Sequence, residues 1–159
     1  MAHLYTSTVH WQRGDQIFLD RRYMRGHAIS FDSGVTFPGS PAPSVVKPPL
    51  SREDAVDPEE LFVAALSSCH MLFFLEFAAK AGFRIDDYRD DAEGVMTKND
   101  AGEMFVSTVT LKPSVTWSGD KKPTSDEITA LHHSAHVKCF IANSARSDIV
   151  IADVPAIYV

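Results

Sequence analysis

Hydrophobic and polar positions along the chain follow two periods, one strand-like and one helical. Residues 3–11 (HLYTSTVHW) roughly alternate and are rich in Thr, Val and aromatics, which predicts a strand. Gly14-Asp15 is a turn signal, and residues 23–31 (YMRGHAISF) predict a second strand, weakened by Gly26. Both periods stop over residues 32–56, which hold Pro38, Pro41, Pro43, Pro48 and Pro49 with Gly34 and Gly39. Proline fixes one dihedral and removes a backbone donor, so neither a helix nor a central strand is expected there. Long structureless loops usually serve function, and the expectation is a loop bordering the active site.

A helix follows with a sharp start. Asp57 suits the cap, Pro58 the first helical position, and Glu60 completes an Asp-x-x-Glu box. It should run to about Ala81, with Gly82 as its stop. Leu61, Phe62, Ala65, Leu72, Phe73, Phe74, Leu75 and Phe77 cover more than one face, which predicts burial in a core or between subunits. Strand patterning returns over 84–97 and 103–117, with Asn99-Asp100-Ala101-Gly102 as a hairpin turn between them. A second helix should begin near Thr124 or Ser125, pass through Cys139 and stop before Asn143, and residues 147–151 predict a last strand. The order β-β-loop-α-β-β-α-β is an α+β plan in one domain over residues 1–159.

At 159 residues, 45% apolar, the chain can bury a sizeable core. The net charge is −6, and the nearest approach to a basic cluster is Arg21-Arg22 with Arg25. Gripping phosphates needs a basic stripe, so nucleic acid is not expected as the partner. The start Met1-Ala2-His3-Leu4-Tyr5 shows no export signal, and Ser67, Ser68, His70, Glu76 and Lys80 interrupt the apolar stretch 61–83. The expectation is a cytoplasmic protein that does not cross a membrane.

The two cysteines, Cys69 and Cys139, decide the chemistry. In a reducing compartment such a pair is inert, metal-binding or redox-active. As an inert residue each would fill core space. As a nucleophile Cys69 needs a thiolate, and a guanidinium is the durable cation to hold one. His132, His133, His136 and Cys139 share the second helix at spacings of three and four, which leaves open either a zinc site or a half-buried polar face. Glu59 opens the first helix, where a carboxylate complements the helix dipole.

Asp57-Pro58-Glu59-Glu60-Leu61-Phe62, with Ala64-Ala65 and Cys69 ten residues after Glu59, resembles the (Asn/Asp)-Pro-Glu-x-Leu-x-x-Ala…Cys signature of the OsmC/Ohr family. The second cysteine on a later helix and the order of elements match as well. The resemblance implies the OsmC-like fold, an intertwined homodimer with long central helices. It also implies a thiol-dependent peroxidase for organic hydroperoxides, with Cys69 as the peroxidatic and Cys139 as the resolving cysteine. Cys69 would become a sulfenic acid, Cys139 would close a disulfide, and a dithiol or lipoyl-type reductant would restore the pair, with no cofactor. The family also uses an arginine to hold the thiolate and the Asp-Pro-Glu glutamate to orient it; here the glutamate is Glu59 and the arginine is assigned to Arg25, with Arg13, Arg22 and Arg52 as rivals. Phe62, Met71, Phe73 and Phe140 would offer apolar pocket walls. Two other readings stand beside this one: a non-catalytic protein binding a small ligand, and a metal-binding protein using the His132–Cys139 helix.

Overall fold

The computed structural model describes residues 2–159, which form two compact units, residues 2–61 and 62–159. The first unit carries an antiparallel sheet in the order β1-β2-β3, from β1 (Ser7–His10), β2 (His27–Phe31) and β3 (Thr36–Gly39). β3 lies inside the segment expected to be structureless. Pro38 is tolerated there because β3 is the outer strand of the sheet, where a missing donor costs least. The segment's other backbone groups find partners nearby. Ser40 N–H donates to the Val56 carbonyl at 3.1 Å, and Val56 N–H donates to that of Pro38 at 3.1 Å. Ser40 is fully buried, and its hydroxyl accepts from Arg52 N–H at 2.9 Å. Backbone pairing with β2 and Val56, together with the Ser40 hydroxyl, therefore orders a stretch that composition alone marks as a loop.

The boundary between the units falls in the first turn of α1 (Pro58–Lys80). Asp57 and Glu60 make the expected reciprocal cap, with Glu60 N–H donating to Asp57 Oδ1 at 2.7 Å and Asp57 N–H to Glu60 Oε2 at 3.0 Å. Gly82, at φ +78°, ends the helix as a left-handed residue should. By length and composition α1 matches a membrane span. The chain itself buries only one stripe of it, Leu66, His70, Phe74 and Ala78, one residue per turn, and Leu72 is 61% exposed.

In the second unit each expected long strand divides in two. Residues 84–97 give β4 (Arg84–Asp90) and β5 (Glu93–Lys98), and residues 103–117 give β6 (Met104–Leu111) and β7 (Pro113–Ser118). A side chain marks the break. Asp90 Oδ1 accepts from Lys112 N–H at 2.6 Å, in place of a carbonyl, and the strands on either side enter different sheets. The remaining elements are α2 (Ser125–Lys138), the short α3 (Phe140–Ser144), β8 (Asp148–Ile151) and β9 (Ile157–Tyr158). The sheets are β4-β7-β9 and β5-β6-β8, with β8 and β9 added in parallel. β9 has two residues and left no pattern to read. One core cluster joins Phe74, Ala78, Phe83, Val115, Trp117, Leu131 and Ala135, and another joins Leu66, Val109 and Leu111.

Candidate functional site

Both cysteines belong to the second unit, where α1 meets the end of α2. Cys69 is half-buried on α1 and Cys139 is buried, both as free thiols. Cys139 stands at the junction where α2 stops and α3 begins, with extended backbone (φ −62°, ψ 114°). Asn143 pins this bend, its amide donating to the carbonyls of Val137 at 3.0 Å and Cys139 at 2.9 Å. Cys139 Sγ in turn accepts from Ala142 N–H at 3.4 Å.

The thiols touch. Burial, and then a hydrogen bond donated by the Cys139 S–H to Cys69, push the Cys139 thiol up to about 11. Burial and this neighbour both favour the protonated form of Cys139. Phe140 follows Cys139 directly and meets Phe73 of α1 edge-on, ring centres 5.2 Å apart, so the pair has an apolar neighbour.

Next to Cys69, His70 is buried, and sequence reasoning gave it no role. The signal was its place in the Leu66-His70-Phe74-Ala78 stripe, which sends it into the core. His70 Nε2 and His132 Nδ1 share a hydrogen bond of 3.0 Å, and the rings stack at 5.3 Å. Burial lowers both imidazoles to about 4. Asp90 favours the charged form of His70 and His136 disfavours it, the smaller effects. Asp90 is itself engaged, accepting from Ser67 Oγ at 2.5 Å as well as from Lys112 N–H. Among the described residues, buried imidazole nitrogens without partners remain at His70 Nδ1 and His136 Nδ1.

His132, His133 and His136 line a cavity of about 540 Å³ beside α2, with Ser125, Thr129 and Asp153. Among the described residues, no three His, Cys, Asp or Glu side chains converge closely enough to hold a metal ion. The metal reading of the α2 histidines therefore lacks a ligand set. His132 turns one nitrogen to His70 instead.

Arg25 and Glu59 lie in the first unit. The Arg25 guanidinium donates to the carbonyls of Tyr23 at 2.8 Å and Arg21 at 3.1 Å and sits 4.3 Å from the Tyr23 ring centre. It edges an apolar pocket of about 450 Å³ with Trp11, Phe18 and Tyr23. Glu59 is half-buried in the first turn of α1, and the two make no ion pair among the described residues.

Comparison with known proteins places this arrangement. The family model described as OsmC-like protein matches residues 51–152. An OsmC-like protein of unknown function from Vibrio cholerae is 44% identical, with a TM-score of 0.94 over 96% of this chain and 100% of that one. An organic hydroperoxide resistance protein from Elizabethkingia anophelis shares the fold at 17% identity (TM-score 0.69, 99% of this chain and 96% of that one). So does OhrB of Bacillus subtilis, an organic hydroperoxide resistance protein, at 18% identity (TM-score 0.62, 98% of both chains). No functionally curated protein matches. The matched family model spans both cysteines, and the Vibrio cholerae structure is alike over almost the whole chain: this protein belongs to the OsmC-like family.

Proposed function

We propose that this protein is a thiol-dependent peroxidase that reduces organic hydroperoxides through Cys69 and Cys139. The observation that supports the reading is that the cysteine of the family signature, Cys69, has Cys139 as a neighbour, both as free thiols. The Cys69 thiolate attacks the O–O bond, an alcohol leaves, and Cys69 becomes a sulfenic acid. Cys139 then displaces the hydroxyl to give a disulfide and water. A dithiol or lipoyl-type reductant returns both thiols by exchange. The apolar side chains of Phe73 and Phe140 beside the pair favour alkyl or lipid hydroperoxides over hydrogen peroxide.

Two further parts of the reading rest on the family resemblance. Arg25 supplies the cation that holds the Cys69 thiolate, and Glu59 orients it. The protein acts as an intertwined homodimer, which would cover the apolar surface of α1 that one chain leaves open. The test is steady-state reduction of cumene hydroperoxide with a dithiol donor. Cys69→Ser should abolish turnover, Cys139→Ser should stall or overoxidise, and Arg25→Gln should slow the first step. Normal turnover by Cys69→Ser would end the reading.

A further inference from the structure

The cavity beside α2 takes no part in the thiol cycle, since neither Cys69 nor Cys139 lines it. At about 540 Å³ it falls in the range of small-molecule sites, about 300–1,000 Å³. Its walls differ in kind. From α2 come polar side chains at helical spacing, Ser125, Thr129, His132 and His136. Ile149 and Ile151 of β8, with Val154, supply apolar surface, and Asp153 stands among them.

The hydrogen-bond network fixes what the two imidazoles offer. Among the described residues, His136 Nδ1 is buried without a partner. A buried N–H with no acceptor is the rarer and costlier orphan, so this Nδ1 is the bare nitrogen and Nε2 carries the proton. His70 Nδ1 is buried and unpartnered in the same way. Burial lowers His70 and His132 to about 4, so both rings are neutral at pH 7. The one proton of His70 is then on Nε2, which donates to His132 Nδ1 at 3.0 Å. His132 must therefore carry its own proton on Nε2, the nitrogen it has left for a ligand. Two Nε2–H donors, one helical turn apart on α2, suit the oxygens of a carboxylate. Asp153 is exposed and makes no ion pair among the described residues. Its charge repels a simple anion and attracts an ammonium group.

We propose that this cavity binds a small zwitterion with an apolar body, an α-amino acid or short peptide. Its carboxylate accepts from His132 and His136 Nε2–H, its ammonium group pairs with Asp153, and its side chain lies on Ile149 and Ile151. A ligand lacking any one of these parts leaves one surface of the cavity unmatched. The inference stands apart from the peroxidase reading.

The test is titration of the reduced full chain at pH 7.5, followed through the imidazole nitrogens by two-dimensional 1H–15N NMR. The probes are leucine and leucyl-leucine. The comparators are 4-methylpentanoate, which lacks the ammonium group, and 3-methylbutylamine, which lacks the carboxylate. In the free protein His132 and His136 should show a protonated Nε2 and a bare Nδ1. At least one probe should move both sets of signals and saturate below about 1 mM. Each comparator should bind roughly 10- to 100-fold more weakly. Asp153 is exposed, so Asp153→Asn should fold. It should weaken the probe by a similar factor without weakening 4-methylpentanoate. A proton on His136 Nδ1, imidazole signals that neither probe moves, or a comparator that binds as tightly as the probes overturns the inference, and none of these needs a variant. Asp153→Asn binding the probe as the wild type does overturns it as well. Turnover of cumene hydroperoxide is a separate readout, so failure here and failure of the peroxidase reading are distinguishable.

Discussion

Cys139 should alkylate far more slowly than a free thiol, and removing Cys69 should speed it. Burial and the hydrogen bond to Cys69 hold its proton up to about 11. At pH 7.5 that leaves roughly 1 in 3000 as thiolate, against about 1 in 10 for a thiol at its ordinary value near 8.5. On ionisation alone the rate with iodoacetamide should fall by roughly 300-fold below that of a free thiol. Cys69→Ala removes the acceptor and leaves burial, the larger cause, in place. The rate at Cys139 should then rise while staying below that of a free thiol. The assay is alkylation of the folded, reduced protein followed by peptide mass spectrometry across pH 7–10. Cys139 reacting as fast as a free thiol, with a rate that levels off above pH 8.5, would refute the contact and the burial together.

Other consequences can be measured on the fold. His70 and His132 sit near 4 when folded and near 6.5 when unfolded, so the unfolded chain takes up protons first as pH falls. The stability from keeping them neutral is fully present above about 6.5 and drains away between there and 4, on the order of 3 kcal/mol for His70. Urea melts should show this loss, and His70→Gln should lessen it; equal slopes in both would contradict the pairing. Phe74 is fully buried and stacks on His132 at 4.1 Å. Phe74→Ala should cost about 3–5 kcal/mol in the same melts. Thr124 and Glu127 form a capping box at the start of α2, and Thr124→Ala should cost about 1 kcal/mol.

Much of this fold was legible because local chemistry set it. The Asp57-Pro58-Glu60 start, the Gly82 stop and the Thr124–Glu127 cap each satisfy backbone groups within a few residues, so a linear reading finds them. The misses share a different cause. β3 depends on its ladder with β2 and a bridge to Val56, and composition cannot display such pairings. The breaks between β4 and β5 and between β6 and β7 turn on one contact, Asp90 with Lys112, between segments that each read as continuous strand. At the site the cysteines were visible as residues, and their proximity was not. His70 shows the limit most clearly. It lies beside Cys69 in sequence, yet its hydrogen bond goes to a residue 62 positions away. The apolar excess of α1 was read correctly, and burial within one chain accounts for only one stripe of it.

The central claim is that Cys69 and Cys139 act as one redox pair, and it is tested most directly by weighing the intact protein before and after one equivalent of an organic hydroperoxide. The account predicts a loss of two hydrogens per chain, mapped by digestion to a Cys69–Cys139 link and reversed by a dithiol. Two thiols surviving unchanged while the peroxide persists would contradict it.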